Sequence, residues 1–259
     1  MTSWAMGPKL SRFLIVLGLG MLLALGACAS NNAEDDAFLA YEEPSDPIEP
    51  INRAIFDFNN FLDGLLLKPL AELYGVLLPQ GARDSIRNFL RNLATPVTLA
   101  NDLLQGEMDR AGNTTARFLV NTTIGVGGLF DIAEKQGYPY HSEDFGQTMA
   151  VHGVDDGFYL VLPILGPSTA RDATGRVVDI FLDPLTYVAN NNDWDGLGLA
   201  RTAVSGIDAR ERNIETLEEL KRDSVDFYAR IRSLYYQTRQ KEISNGEGDL
   251  PYLPAPGAE

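Results

Sequence analysis

The sequence predicts a mainly α-helical protein with a single folded domain. Apolar residues recur at intervals of three and four along most of the chain, and prolines or glycines divide these runs into helix-sized segments. Only the run over residues 158–165 has the composition of a strand, and Pro163 within it argues against a central strand. Residues 46–243 are enough for one domain, and no internal repeat is visible.

The first 27 residues are typical of an export signal. Lys9 and Arg12 precede an apolar run over residues 13–25, which is too short to span a bilayer comfortably, and small residues follow it. An uncleaved membrane anchor is the alternative interpretation. Cys28 lies directly after this segment and is the only cysteine of the chain, so no internal disulfide can form.

Leu25-Gly26-Ala27-Cys28 resembles the lipobox of bacterial lipoproteins, in which a peptidase cleaves before the cysteine and the sulfur is then acylated. We therefore expect covalent diacylglyceryl and acyl lipid on Cys28 and no other cofactor. Two or more acyl chains anchor a protein stably to a membrane, whereas one chain anchors it only marginally. Residues 28–45 would form the lipidated N-terminus and a polar tether, and residues 244–259 a disordered acidic tail.

The charge balance limits the possible partners. The formal net charge is −15, and removal of Lys9 and Arg12 with the signal takes it to −17. A protein this acidic has no general positive field, which argues against nucleic acid as a partner. Contact with a membrane must then come from acyl chains and apolar surface.

The first helix is predicted by apolar residues spaced four, three, four and three apart: Ile51, Ile55, Phe58, Leu62 and Leu65. Pro69 is expected to end it. Further apolar residues at positions 56, 61, 66 and 67 widen this face beyond a usual core stripe. Such a face suits a helix that contacts lipid as well as protein.

The same spacing predicts three further helices. One covers residues 86–93 and stops before Pro96, a short one covers residues 95–104 and is broken near Gly106, and one covers residues 108–123.

The second half should contain two short helices and one long one. The short helices are predicted over residues 142–152 and 168–182, the latter beginning at Ser168. The segment from Asp208 to about residue 241 is predicted to be the longest helix. Asp208 and Glu211 match a capping box, and acidic residues precede basic ones along the segment, as the helix dipole favours.

Arg83, Arg87 and Arg91 repeat every four residues opposite the apolar face of the second helix. A solvated helix face explains this repeat. The alternative is a basic stripe that meets phosphate headgroups, because guanidinium groups match the geometry of phosphate oxygens.

The glycines of the motif GVGG, Gly125, Gly127 and Gly128, also allow two interpretations. They can act as a helix terminator, or they can form a hinge or a close backbone approach beside a lipid path. The motif lacks the third glycine and the preceding strand of a dinucleotide-binding loop.

Evidence for an enzyme is weak, and we predict no catalytic residue and no metal ligand. The chain lacks a G-x-S-x-G elbow, an H-E-x-x-H motif and a P-loop. Its two histidines, His141 and His152, cannot bind a metal without carboxylates from elsewhere and are expected to be surface or capping residues. Asp155 and Asp156 could serve acid–base chemistry or bind a hard cation, but a turn before Gly157 explains them more simply.

Several stretches of the sequence, in order, resemble the MlaA family, also called VacJ. They are SDPIEPINRAIFDFNNFLD at 45–63, NTTIGVGGLFDIA at 121–133, EDFGQTMAVHGV at 143–154 and LVLPILGPSTARD at 160–172, followed by Asp183-Pro184. The resemblance covers about residues 45–200 and lies behind the lipobox. The acidic turn at residues 155–159 departs from the family pattern.

The resemblance implies a flat helical ring with a central amphipathic channel, seated in the inner leaflet of the outer membrane. Proteins of this family are lipoproteins that associate with trimeric porins on the periplasmic side. They remove phospholipids mislocalised in the outer leaflet and pass them to a soluble periplasmic carrier. The flow is retrograde and maintains outer-membrane lipid asymmetry, without catalysis.

A ring of this kind needs polar residues along a channel, because zwitterionic headgroups are costly to place in hydrocarbon. The channel and lipid-contact candidates lie on the first helix and in the glycine motif, which would act as a flexible gate: Asn52, Asp57, Phe58, Asn59, Asn60, Gly125, Gly127 and Gly128. Two alternatives stay open. One is a phospholipid hydrolase that uses Asp155, Asp156 and His152, and the other is a passive scaffold for a porin.

Overall fold

The computed structural model describes residues 46–194 and 196–246, which fall within one compact unit. The predicted export signal, Cys28, the tether and the tail from residue 247 lie outside the described residues. Within these ranges the protein is helical, apart from one two-stranded sheet. The predicted mainly α-helical class is therefore confirmed.

The first predicted helix does not end at Pro69. Helix α1 (Glu49–Leu62) passes into a π-helical turn (Asp63–Leu67) and then into helix α2 (Lys68–Leu77). Pro69 lies in the first turn of α2, where a missing backbone N–H is tolerated. The prediction that Pro69 ends the helix is wrong because the π turn, with its wider spacing of hydrogen bonds, lies directly before the proline.

Helix α3 (Gln80–Gln105) is one continuous helix of 26 residues. The prediction of two helices separated before Pro96 is wrong. A proline inside a helix costs about 3 kcal/mol, and side chains on both sides of it are buried in tertiary contacts, namely Asn92, Thr98, Asn101 and Asp102. The predicted break near Gly106 is confirmed, because Gly106 caps α3 with φ of 80°.

The middle of the chain follows its prediction closely. Helix α4 covers Met108–Thr123, a short helix α5 covers Ile132–Lys135, and helix α6 covers Phe145–Val151. Helix α6 begins where the Asp144 carboxylate accepts a hydrogen bond of 2.9 Å from the backbone N–H of Gln147.

The strand-like run forms only half of a hairpin. Strand β1 (Tyr159–Leu162) pairs antiparallel with strand β2 (Gly166–Thr169), with Tyr159 opposite Thr169. Pro163 lies in the connecting loop, where it removes no hydrogen bond between the strands.

Two helices follow the hairpin. Helix α7 (Ala170–Leu182) is capped by Thr169 rather than by the predicted Ser168, because the Thr169 hydroxyl accepts a hydrogen bond of 3.1 Å from the N–H of Asp172. Ser168 is buried within β2. Helix α8 (Pro184–Asn191) begins at a proline, directly after the cap Asp183.

The predicted long helix from Asp208 is wrong. The segment contains helices α9 (Leu197–Arg212), α10 (Ile214–Asp223) and α11 (Phe227–Ile243). Asp208 does not cap a helix but lies inside α9, 2% exposed, where its carboxylate contacts arginine side chains. Because Asp226 caps α11 through the N–H of Ala229, the chain restarts there instead of continuing.

A small aromatic core joins α1, β1 and α11. Tyr159 is fully buried, and its ring centroid lies 6.1 Å from that of Tyr228 and 5.8 Å from that of Tyr236. Phe56 on α1 packs edge-on against Tyr228 at 5.4 Å. These rings are the main apolar contact between the two ends of the described chain.

Most of the interior is polar. Among the described residues, eighteen polar or charged side chains are buried but only eight apolar ones, while thirty-four large apolar side chains are exposed. Soluble domains show the reverse distribution in their interiors. The interior must therefore be held together by hydrogen bonds and ion pairs.

The strongest of these ion pairs centres on Arg239 of α11. Its guanidinium donates to Asp172 of α7 at 2.8 and 3.0 Å and to Asp144, the cap of α6, at 2.7 and 2.6 Å. Burial is the largest single influence and opposes ionisation of both carboxyl groups. The hydrogen bonds and charge of Arg239, together with further hydrogen bonds, outweigh it, so the pKa of each lies below its ordinary value. One side chain thus joins three helices.

Replacing Arg239 with methionine should lower the free energy of unfolding by about 3–5 kcal/mol, because two carboxylates lose their buried partner. Denaturant unfolding in detergent, followed by circular dichroism, measures this loss. Arg176→Met is the matched control, since Arg176 is exposed and donates only to the carbonyl of Pro167. Equal effects of the two substitutions would contradict the assigned importance of Arg239.

The stability difference between wild type and Arg239→Met should depend on pH. Because the pKa values of Asp144 and Asp172 are lowered in the folded state, their contribution is fully present above the unfolded value of about 3.9. It is lost as the pH falls through the folded values. Unfolding of both proteins at several pH values should show the difference shrinking in acid, and a constant difference would refute this linkage.

Candidate functional site

The most extensive apolar surface runs along α1, the π turn and α2. Nine large apolar side chains on this segment are exposed, from 39% for Leu70 to 83% for Val76: Ile51, Phe58, Phe61, Leu65, Leu66, Leu70, Leu73, Val76 and Leu77. No helix among the described residues is both long and apolar enough to cross a membrane. An apolar surface of this extent on a folded chain marks a contact with protein or lipid.

The opposite side of α1 is held by two asparagine side chains. Asn52 donates to the carbonyl of Tyr159 at 3.0 Å and accepts from the N–H of Val161 at 2.9 Å. Seven residues further, Asn59 donates to the carbonyl of Leu162 at 2.9 Å and accepts from the N–H of Ile164 at 2.7 Å. The two amides therefore continue the hydrogen-bond ladder of β1 onto a helix.

These contacts correct part of the predicted channel. Asn52 is 1% exposed, so the prediction that it lines a surface open to lipid is wrong. Asn59 uses both ends of its amide on the hairpin. Asp57 and Phe58 are exposed and Asn60 is half-buried, and neither Asp57 nor Asn60 has a side-chain hydrogen bond within the described ranges. Contact of Asp57, Phe58 and Asn60 with lipid stays a prediction.

The glycine motif follows α4 and is tightly packed. A Cβ atom on Gly125 would lie 2.3 Å from the carbonyl oxygen of Phe130, and one on Gly128 would lie 2.4 Å from Cβ of Asn92. The helix-terminator interpretation is confirmed, because α4 ends at Thr123, and the backbone approaches closely as well. A lipid path beside the motif and a flexible gate stay predictions. The loop also exposes apolar side chains: Ile124, Val126, Leu129 and Phe130.

The arginine repeat on α3 faces other helices rather than solvent. Arg83 pairs with Glu211, and Arg87 pairs with Asp208 at 3.3 Å. The solvated-face interpretation is therefore wrong for these two residues, because α9 supplies their acidic partners. Arg91 instead lies 4.1 Å from the ring centre of Tyr140, and within the described part of the chain it has no acidic partner. Arg91 is the member of the repeat whose charge stays open to an anion.

The residues of the hydrolase alternative are not joined into a catalytic unit. His152 is exposed, and its Nδ1 lies 2.8 Å from the carbonyl oxygen of Thr148. Asp156 pairs with Arg171 at 2.5 Å, although burial raises the pKa of Asp156 above its ordinary value. Between residues 46 and 194, no hydrogen bond connects His152 to Asp155 or Asp156.

A polar cluster surrounds His141, and it was not predicted from the sequence. The Nε2 atom of His141 lies 3.0 and 3.2 Å from the two carboxylate oxygens of Asp102, and Glu143 lies beside them. The prediction that His141 is a surface or capping residue is therefore wrong. A polar stripe on α3 was the available signal: Thr98, Asn101, Asp102 and Gln105.

The family model described as MlaA lipoprotein matches residues 44–242. The chain belongs to the MlaA lipoprotein family. This match spans almost the whole described part of the protein, including the apolar surface, the glycine motif and the Arg239 network.

Relatives of this MlaA-family chain are similar over nearly their whole lengths. A protein of Rickettsia felis is 37% identical over 246 residues, covering 91% of this chain and 96% of the relative. A protein of Haemophilus influenzae, named intermembrane phospholipid transport system lipoprotein MlaA, is 33% identical over 238 residues and is covered to 91%. The same comparison covers 90% of this chain.

A solved structure is also similar to this MlaA-family chain. It was reported as the "Structural basis for maintenance of bacterial outer membrane lipid asymmetry", and the TM-score is 0.69 at 33% sequence identity. The comparison covers 77% of this chain and 99% of that one. The single helical domain is thus shared with a protein of known structure.

Substitution of Gly128 by alanine should destabilise the protein more than substitution of Gly127. Both glycines have positive φ, so alanine at either position costs about 1–2 kcal/mol in backbone strain. Only at Gly128 does the added methyl group also collide with Asn92, whereas nothing lies within 4 Å at Gly127. Denaturant unfolding of both variants measures the difference, and equal losses would argue against close packing of the motif.

Proposed function

We propose that this protein is a lipid-anchored component of the cell envelope that moves phospholipids between membranes without catalysis. It would remove phospholipids mislocalised in the outer leaflet of the outer membrane and pass them to a soluble periplasmic carrier. The name of the Haemophilus influenzae relative and the subject of the similar solved structure support this proposal.

The distribution of polar and apolar side chains carries the proposal. In water, the exposed apolar side chains of α1, α2 and the glycine motif would be unfavourable, but acyl chains solvate them well. The buried polar groups suit a protein whose surroundings are less polar than its interior. Because no described helix can cross a membrane, the apolar surface fits one leaflet better than a full bilayer.

Individual residues take roles within this proposal. Phe58 and its apolar neighbours would contact acyl chains, while Asp57 and Asn60 on the same helix would meet headgroups or water. Arg91 would contact the phosphate group, since its guanidinium stacks on Tyr140 and makes no ion pair within the described residues. Acylated Cys28 would hold the chain at the outer membrane.

The assembly belongs to the same proposal. A trimeric outer-membrane porin would hold the protein at the periplasmic face, and a ring with a central channel would let headgroups pass through an apolar environment. Both features follow from the family resemblance. The hairpin and the C-terminal helices, which are fixed by polar contacts, would provide the rigid frame.

Arg91→Ala should slow lipid removal about tenfold, because a hydrogen bond to a charged group contributes about 1.5–3 kcal/mol. The fold should survive, since stacking on Tyr140 contributes only about 0.5–1 kcal/mol. Outer-leaflet phospholipid is measured in a strain that lacks the gene and is complemented with wild type, Arg91→Ala or Arg176→Ala. Wild type and the Arg176 control should restore a low level.

The outcomes separate the candidate functions. Normal lipid asymmetry in the strain without the gene would contradict transport. Release of fatty acid from phospholipid by the purified chain would favour the hydrolase alternative. Restoration of asymmetry by a chain that retains porin but no lipid on purification would favour the passive scaffold.

A further inference from the structure

Asp102, His141 and Glu143 form a cluster that the proposed function does not use. Asp102 lies in the last turn of α3, and the other two residues lie in the segment between α5 and α6. One ligand atom from each side chain lies within 4.8 Å of the others. An imidazole nitrogen and the carboxylate of Glu143 thus converge with the carboxylate of Asp102, which lies 39 positions before His141.

The cluster is buried and carries more negative than positive charge. The side chain of Asp102 is 0% exposed and that of Glu143 is 1% exposed. Arg110 contacts Glu143, but its Nε is 3.9 Å from Asp102 and has no hydrogen-bond partner within the described ranges. One arginine therefore offsets only one of two buried carboxylates.

Arg110 is in direct contact with Glu143 only, and its nearest approach to Asp102 is 3.9 Å. A second positive charge at the cluster would therefore be stabilising. A bound cation would supply it.

Surrounding side chains already hold the three groups in place. The Thr114 hydroxyl donates to Oδ2 of Asp102 at 2.6 Å, and the Gln105 amide donates to Oε2 of Glu143 at 3.0 Å. The side-chain amide of Asn113 lies 3.4 Å from Nδ1 of His141. Partners such as Thr114 and Gln105 hold the two carboxylates in place, as the outer partners of the ligands do at metal sites.

A cavity of about 670 Å³ adjoins the cluster and is lined by His141, Glu143, Arg110 and Lys241, among others. An ion between the three side chains would have a route to solvent and room for a water ligand. Three protein ligands with one open position are the arrangement of exchangeable zinc sites, whereas structural sites use four protein ligands.

We propose that Asp102, His141 and Glu143 bind a divalent first-row transition ion of the Zn²⁺ type. Imidazole with carboxylate suits this class of ion, whereas Ca²⁺ takes six to eight oxygen ligands and Mg²⁺ prefers octahedral oxygen coordination. Nε2 of His141 must be deprotonated to bind, so the ion replaces the hydrogen bond between His141 and Asp102. His141 and His152, both predicted to be surface or capping residues, thus differ, since of the two only His141 has carboxylates beside it.

The test uses the full lipidated chain in detergent, purified without a polyhistidine tag and freed of metal with a chelator. After dialysis against Zn²⁺, the ion bound per chain is measured by atomic absorption for wild type, His141→Ala, Glu143→Gln and His152→Ala. Wild type and the His152 control should bind one ion. His141→Ala and Glu143→Gln should bind at least about tenfold more weakly, since even the loss of an outer partner has this effect.

Co²⁺ provides a second measurement that needs no variant. Its visible absorption should intensify on binding to wild type, as tetrahedral coordination requires, and Zn²⁺ should compete the signal away. Circular dichroism checks the fold of each variant. Unchanged Co²⁺ absorption with wild type, or equal Zn²⁺ binding by wild type and folded Glu143→Gln, would overturn the proposal.

Discussion

The pairing of Arg239 with Asp144 and Asp172 is the interaction on which the rest of the fold depends. It joins the last described helix to two helices in the middle of the chain. Glycines allow the close packing around this pairing, because a Cβ on Gly146 would lie 2.6 Å from the guanidinium of Arg239 and one on Gly175 would lie 2.3 Å from the backbone nitrogen of Gly146. In an interior with few apolar side chains, hydrogen bonds and ion pairs between charged groups take the place of hydrophobic packing.

The polar interior and the apolar exterior depend on each other, because the same limited set of large apolar side chains must serve both. A chain that exposes its leucines and phenylalanines along α1 and α2 has fewer of them available for a core. Its inward faces then carry asparagine, threonine, aspartate and arginine, each of which needs a partner. Asn52 and Arg210 illustrate this requirement, since both are almost fully buried and both are hydrogen-bonded.

The sequence predicted correctly those helices whose ends are marked by a local residue pattern, such as a glycine directly after the last turn. Helix α4 and the break at Gly106 were found correctly, because periodicity and a residue able to adopt positive φ mark them. The predictions at Pro69, Pro96 and Asp208 were wrong. A π turn precedes Pro69, and tertiary contacts override the usual effect of Pro96 and the capping role expected of Asp208.

The candidate site was predicted only in part for the same reason. Exposure of Phe58 follows from periodicity, but the roles of Asn52 and Asn59 depend on a hairpin more than a hundred residues away. The cluster around His141 likewise forms between residues separated by 39 positions. A single sequence contains no signal for such pairings beyond the polar stripe of α3.

The two asparagines on α1 have a consequence for how the protein avoids association. Strand β2 covers one edge of β1, and the amide of Asn52 occupies the backbone groups of Tyr159 and Val161 along the other. Asn59 holds the end of β1 and the loop that follows it. An unpaired edge of this kind is a template for strands of other molecules. By covering it with a helix, the chain closes one route to β-aggregation, which matters for a protein whose exterior is already rich in apolar side chains.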